Sequence, residues 1–313
     1  MRATLPGRPI VIAHRGASGY LPEHTLVSKA LAAGMGADYL EQDVVATRDG
    51  ELIVFHDLVL DALTDVATRF PGRQRADGNF YCIDFTLAEI RTLTVGERRG
   101  AGSRQARFPG RFPDDAGRFA IPTFAEEIAF IRGLGHAMGR PLGLYPEIKD
   151  PAWHRRHGID LGARVLAALA DAGHDAADSR VFVQCFDAAE LQRLRTDLGC
   201  RLPLVQLLDS SGGRPSPAML AGFASYAQGI GPSLRLICSG RDPTGPIATT
   251  LVADAHAAGL VVHPYTLRRE ELPPGCDSVD EVLGLVLGRL RADGLFTDFP
   301  DLAAGWVGVH FPG

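Results

Sequence analysis

Apolar stretches alternate along the chain with segments of helical period. Continuous or period-2 apolar runs at 10–13, 38–44, 52–56, 143–149, 181–185, 203–208, 226–230, 260–265 and 295–297 read as strands. Helical spacing over 25–34, 123–134, 158–172, 187–198, 216–224, 247–258 and 279–292 separates most of them. A strand–helix alternation predicts a parallel sheet. The pair 38–44 and 52–56 departs from it, because Arg48, Asp49 and Gly50 join the two runs and an Asp-Gly step predicts an antiparallel hairpin. Setting 52–56 aside leaves eight parallel candidates, the count of a (β/α)8 TIM barrel.

The alternation breaks once. From residue 58 the chain runs through Arg-, Gly-, Pro- and Phe-containing loops and resumes its helical period only near Thr123. Stretches that long inside a compact domain are either functional or surface excursions. The expected organisation is therefore a barrel domain, 1–57 and 119–313, with an insertion, 58–118, over the barrel mouth after the second barrel strand and its hairpin. Phe70, Phe80, Tyr81, Phe108 and Phe112 are the residues from which the insertion would build a core of its own. It is expected to form one wall of the substrate entrance.

Composition narrows the classes. A chain of 313 residues accommodates one barrel of about 250 residues plus an insertion. The formal charge of −5 and the lack of a basic, aromatic-interleaved stripe argue against a nucleic-acid partner. No apolar run approaches the roughly 18 residues of a membrane span. Residues 1–9 lack the apolar centre of a signal peptide. Cys82, Cys185, Cys200, Cys238 and Cys276 are odd in number and widely spaced, which implies no disulfide framework. Oligomeric state has no signature in the sequence.

The candidate chemistry is concentrated in three segments. HRGASGYLPEHT, residues 14–25, delivers His14 and Arg15 where the first strand ends. Gly16 and Gly19 permit tight turns, Pro22 stiffens the loop and Thr25 can cap the following helix, an arrangement suited to an anionic ligand. In residues 37–57, Glu41 and Asp43 share one strand face. Two buried acids on one face repel unless a cation or hydrogen-bond network compensates. In GLYPEIKD, residues 143–150, Glu147 and Lys149 share a face in the same way. Three acids, no CxxC and no His pair at metal-ligand spacing favour one hard divalent cation, Ca²⁺ before Mg²⁺, over zinc. Alone, each residue has a plainer reading: a structural histidine, or a solvated acidic edge. Leu40, Val44 and Val45 beside Glu41 and Asp43 argue against the solvated edge.

With HRG, PEHT, ExD, a strand ending in HD, and PEIK in that order, the chain resembles the glycerophosphodiester phosphodiesterase family. YCIDFTLAEI, PGRFP, QCFDAAEL, GIGP, VHPYTLR and GLFTDFPD extend the resemblance over nearly the whole length and bring it closest to the periplasmic bacterial branch. His24 stands where the wider family usually has Asn, and that branch shares His. The resemblance implies a barrel of the PLC-like phosphodiesterase type. It also implies metal-dependent hydrolysis of deacylated phospholipids to sn-glycerol 3-phosphate and an alcohol. On that reading His14 and His56 serve as general acid and base. Glu41, Asp43 and Glu147 hold the cation, Arg15 adds a fixed positive charge for the phosphate, and Lys149 contacts the phosphate or tunes the Glu147 carboxylate as a point charge. Phe186 and Tyr265, at strand ends, face the substrate or pack as core aromatics. Asp57 orients His56 or caps the strand. His263 reads as a hydrogen-bonded core residue, and His154, His157 and His174 as surface residues. Cys185 lacks the adjacent base a catalytic thiol needs. The branch implies a periplasmic enzyme if a leader was removed before residue 1, and a cytoplasmic one if Met1 is the native start. The alternatives weighed are a phospholipase acting on intact lipid and a surface binding protein built on the same barrel.

Overall fold

A computed structural model describes residues 7–100, 103, 105–113 and 116–312. Its strands are β1 Ile10–Ala13, β2 Tyr39–Ala46, β3 Leu52–Val54, β4 Gly143–Ile148, β5 Val183–Cys185, β6 Leu204–Leu208, β7 Gly229–Pro232, β8 Cys238–Asp242, β9 Gly245–Ala248, β10 Val261–Val262 and β11 Gly294–Thr297. The order β10-β7-β6-β5-β4-β2-β1-β11 is parallel throughout. The circle closes where Phe296 N donates to Pro264 O and Leu267 N to Phe296 O, both just beyond β10. The molecule is thus an eight-stranded α/β barrel, and β3 pairs antiparallel with β2 as the Asp-Gly turn predicts.

Inward positions follow the period of two. Ile10, Ile12, Tyr39, Tyr145, Phe182, Val205 and Phe296 fill the barrel interior as one apolar cluster. One pleat further along, the same faces carry His14, Glu41, Glu147, Gln184, Leu207 and Asp298, so the polar layer stands directly on the apolar one. Gly229 gives the interior room on its side: a Cβ there would lie 2.6 Å from a methyl of Val261. Helices Leu26–Gly34, Phe124–Ala137, Leu161–Asp171, Ala188–Thr196, Pro217–Ala224 and Leu251–Ala257 follow the predicted ones, with ends shifted by a few residues.

Three elements depart from expectation. Residues 247 and 248, read as helical, belong to the β8–β9 hairpin, where Asp-Pro-Thr-Gly turns an irregular polar stretch back on itself. The last predicted helix is α-helical over Val279–Leu283 and passes into wider π turns at Gly284–Arg289. Pro300–His310 forms a helix whose glycines at 305 and 308 mask its period.

Beyond β3, Leu60, Leu63, Val66, Phe80, Phe85, Ile90, Leu93 and Val95 form an apolar cluster with Val45, Ile53 and Phe55 of the hairpin. The cluster is shared with the barrel. Of the expected core aromatics, Phe80 is buried in it and Phe70 packs on Phe85. Tyr81 instead stacks on Trp153, Phe108 lies under the Arg111 guanidinium, and Phe112 meets Phe119 edge-on.

Candidate active site

His14 continues β1, its N–H donating to Thr297 O at 2.9 Å. Arg15 then adopts φ +59 and Gly16 φ +91, which turns the chain sharply away from the strand. A Cβ on Gly16 would stand 2.5 Å from Ser28 Oγ, so the turn needs glycine for space as well as for φ. The turn feeds helix Leu26–Gly34, whose first turn is capped by Thr25, which accepts from Ser28 N.

Register builds the acid group. Glu41 and Asp43 lie two apart on β2, and Asp43 is the direct partner of Glu147 on β4. One carboxylate oxygen from each residue lies within 4.8 Å of the other two. Glu41 accepts from Arg15 N and Gln184 Nε2, each at 2.9 Å. Asp43 Oδ2 is 2.7 Å from His24 Nε2, and Lys149 Nζ donates to Glu147 at 2.7 Å. Asp43 Oδ1 is buried without a hydrogen-bond partner.

Burial, reinforced by Asp43, pushes the Glu41 carboxyl well above its ordinary range. Burial raises Glu147 to about 7 against the opposing Lys149 ammonium. Burial would also raise Asp43, but Lys149, His56 and His24 outweigh it and hold that carboxyl low. Three convergent carboxylates, an unpartnered Asp43 oxygen and two carboxyls short of compensating charge fit a divalent cation taken by oxygen donors. Glu41, Asp43 and Glu147 therefore form a group able to bind a metal ion.

Each histidine is tied to a carboxylate through Nδ1. His14 Nδ1 is 2.6 Å from Asp298 Oδ1, and His56 Nδ1 bonds Asp57 Oδ1. Burial would raise Asp298, yet Arg268, His14 and Arg111 hold it below the usual carboxylate range. Asp57 is likewise lowered to about 2, by His56 and Arg98 against burial. An ionised carboxylate only accepts, so both Nδ1 atoms carry hydrogen and both neutral rings keep a lone pair at Nε2. Burial and the Arg15 charge pull His14 down to about 3. Burial, Arg15 and Lys149 lower His56 as well.

His14, Arg15, Glu41, His56, Glu147, Lys149, Phe186 and Tyr265 line one cavity of about 130 Å³. Asp43 stands beside it in the acid group, so the candidate acid–base, phosphate, substrate and metal residues lie together. Phe186 is 45 % exposed at the rim and meets Tyr265 edge-on. His263 is a core residue bonded to the Tyr145 hydroxyl at 2.8 Å. His154 differs from expectation: it is fully buried, because Ala46 N donates to its ring, which also contacts Asp150 O. Cys185 is buried and burial raises its thiol, leaving it inert.

Several residues at the site escaped sequence reasoning. Asp298 lies inside the quoted TDFPD run, and its place two residues beyond an inward Phe296 was the available signal. Gln184 is the direct register partner of Glu147 across β4 and β5. Glu23, Arg98, Arg111 and Arg268 come from loops, where no period marks the inward side.

The sequence model of the glycerophosphoryl diester phosphodiesterase family matches residues 14–302. A glycerophosphodiester phosphodiesterase of Haemophilus influenzae is 41% identical, over 96% of this chain and 89% of that protein. One of Treponema pallidum is 36% identical, over 96% of this chain and 92% of that protein. A crystal structure from Silicibacter pomeroyi, assigned as a glycerophosphoryl diester phosphodiesterase, superposes with a TM-score of 0.73 at 27% identity, covering 97% of this chain and 94% of that one.

Proposed function

Because the chain belongs to the glycerophosphoryl diester phosphodiesterase family and is an enzyme of that class, we propose that it hydrolyses glycerophosphodiesters to sn-glycerol 3-phosphate and an alcohol, with His14 and His56 as the general acid and base. The observation that carries this reading is the pair of imidazoles on one cavity wall, each with Nδ1 committed to an ionised aspartate and Nε2 left for the substrate. One ring takes the proton of the attacking oxygen at Nε2; the other enters the step as imidazolium, having drawn a proton from solvent onto Nε2 once the phosphodiester anion is bound beside it, and delivers that proton to the departing alkoxide. The aspartate behind each ring stabilises the imidazolium form during that exchange. Arg15 and Lys149, held by Glu23 and Glu147, place fixed positive charge where the phosphodiester binds.

Glu41, Asp43 and Glu147 would hold one divalent cation, Ca²⁺ in preference to Mg²⁺. A cation bound there would supply positive charge to the phosphoryl oxygens. Phe186 and Tyr265 meet the carbon portion of the substrate. Since the Tyr265 hydroxyl donates to Leu208 O, the ring rather than the hydroxyl faces that portion. Residues 58–118 form one wall of the entrance and restrict which alcohols enter. Of these, 101, 102, 104, 114 and 115 lie outside the described residues. Among the described residues no helix is long and apolar enough to cross a membrane.

The test is an assay of chelated enzyme re-supplied with Ca²⁺ or Mg²⁺, on glycerophosphocholine, glycerophosphoethanolamine and an intact phospholipid. We expect release of sn-glycerol 3-phosphate from the first two, abolished by chelation and restored best by Ca²⁺. Glu41→Ala, Asp43→Ala and Glu147→Ala should stay inactive at ordinary metal levels. Turnover of the intact lipid alone, or full activity after chelation, refutes the reading.

A further inference from the structure

Among the described residues of 58–118, Arg98 and Arg111 reach the aspartates behind the two histidines, and both meet the same kind of target. Asp57 gives Oδ1 to His56 and Oδ2 to Arg98, whose Nη1 donates at 2.6 Å. Asp298 gives Oδ1 to His14 and Oδ2 to Arg111, whose Nη2 donates at 2.7 Å. The Arg111 side chain is only 5% exposed and that of Arg98 16%. Arg98 also donates from Nε and Nη2 to Glu23 at 3.0 and 2.7 Å, and Glu23 accepts from Arg15 Nη1 at 2.8 Å. Arg111 is itself fixed by Glu270 and by the Ser18 carbonyl.

From this geometry we infer that Arg98 and Arg111 are positioning residues, one for each His–Asp pair. The inference rests on the acid–base reading of His14 and His56. A carboxylate tied to an imidazole by one oxygen alone turns about its Cβ–Cγ bond and lets the ring swing. A planar guanidinium on the second oxygen fixes that plane and with it the direction of Nε2. The segment is then part of the reacting centre's support as well as its rim. Arg98 also ties His56 to Arg15, so proton transfer and anion binding share one brace.

The two arginines are unequal. Asp298 Oδ2 has a second guanidinium, Arg268 Nε at 2.9 Å, from the loop after β10. Arg98 supplies the guanidinium on Asp57 without such a partner in the hydrogen-bond network of the described residues. Loss of Arg98 should therefore cost more than loss of Arg111.

The experiment compares kcat and KM of Arg98→Met, Arg98→Lys, Arg111→Met and Asp57→Asn in the metal-loaded enzyme, with proton NMR of the histidine Nδ1–H resonances. Arg98→Met should lower kcat about 10–100-fold, the usual range for a residue behind a ligand or catalytic group, with a smaller rise in KM because Glu23 still holds Arg15. It should also shift the low-field His56 resonance and leave that of His14 in place. Arg111→Met should lower kcat less and move the His14 resonance. Adding Arg98→Met to Asp57→Asn should cost little more than Asp57→Asn alone. If Arg98→Met does not fold, Arg98→Lys carries the test, because one ammonium cannot span both Glu23 and Asp57 and kcat still falls. Wild-type kcat with unmoved resonances in the Arg98 variants overturns the inference. His14→Ala and His56→Ala run beside them: if those two keep wild-type kcat, the acid–base reading itself has failed.

Discussion

The two halves of the barrel mouth differ in kind. On one side β1, β2, the β3 hairpin and β4 present His14, Arg15, Glu41, Asp43, His56, Glu147 and Lys149. Across from them β5, β6 and the segment after β10 present Gln184, Phe186, Leu207, Tyr265 and Thr266, all uncharged, with Arg268, bonded to Asp298, as the one charged side chain among the described residues lining the cavity on this nearly neutral half. A low-dielectric wall opposite a cluster of charges strengthens the field at the cluster, since less water screens it. On the proposed reading, bond cleavage belongs to the charged half and discrimination among alcohols to the nearly neutral half.

Variants on the charged half should show the largest effects. His14→Ala and His56→Ala should each lower kcat by about 10²–10⁴, the usual cost of losing a general acid or base. Their melting temperatures should stay near wild type, as neither ring belongs to the apolar clusters. Steady-state kinetics beside thermal melts check this, and near-normal turnover in either variant would erase the distinction between the halves.

A second comparison separates orientation from stability. Asp298 is held below the unfolded carboxylate range, so its contribution is fully present above pH about 4 and is lost as pH falls. Asp298→Asn leaves Arg111 and Arg268 facing an uncharged amide, and should cost about 3 kcal/mol at pH 7. That deficit should shrink on acidification toward pH 3. Urea unfolding of both proteins at several pH values measures it, and a deficit constant with pH would show that charge is not its origin.

The neutral half should give the smallest effect. Phe186→Ala removes a ring 45% exposed at the rim, and should change the kcat/KM ratio between glycerophosphocholine and glycerophosphoethanolamine by roughly 3- to 10-fold, about 1 kcal/mol of contact. The turnover number on the better substrate should hardly move. A large loss of kcat with an unchanged ratio would place Phe186 with the chemistry instead.

The same division governs how much could be read from the sequence. Charged residues at strand ends arrive in short blocks whose period of two fixes their common face, so Glu41, Asp43 and Glu147 were identifiable as one group before their register was known. The barrel followed from counting runs, because each inward face is apolar one pleat below the polar layer. Arg98 and Arg111 had no such guide. They sit in irregular chain where neither period nor neighbours distinguish an inward guanidinium from a surface one. His154 misled for the opposite reason: it stands among polar residues in Trp-His-Arg-Arg-His, and only the edge of β2 folded against it makes it a buried acceptor. Helix Pro300–His310 was hidden by its glycines, and the β8–β9 hairpin by its lack of alternation.

The pairing of β1 with β11 bears on how the enzyme comes into being during synthesis. The acid group is complete once residue 147 has emerged and β2 and β4 have paired, but the partner of His14 lies 284 residues beyond it in the chain. Until β11 docks, a nascent barrel is open along β1, and His14 has no carboxylate behind it. Closing the seam and orienting His14 are one event, since Thr297 receives the His14 N–H and the next residue, Asp298, takes the ring. Pairings across so long a separation form late. A partly made or clipped chain lacking β11 would thus be expected to bind metal before it could turn over substrate, and hydrolytic competence would appear only when the barrel closes.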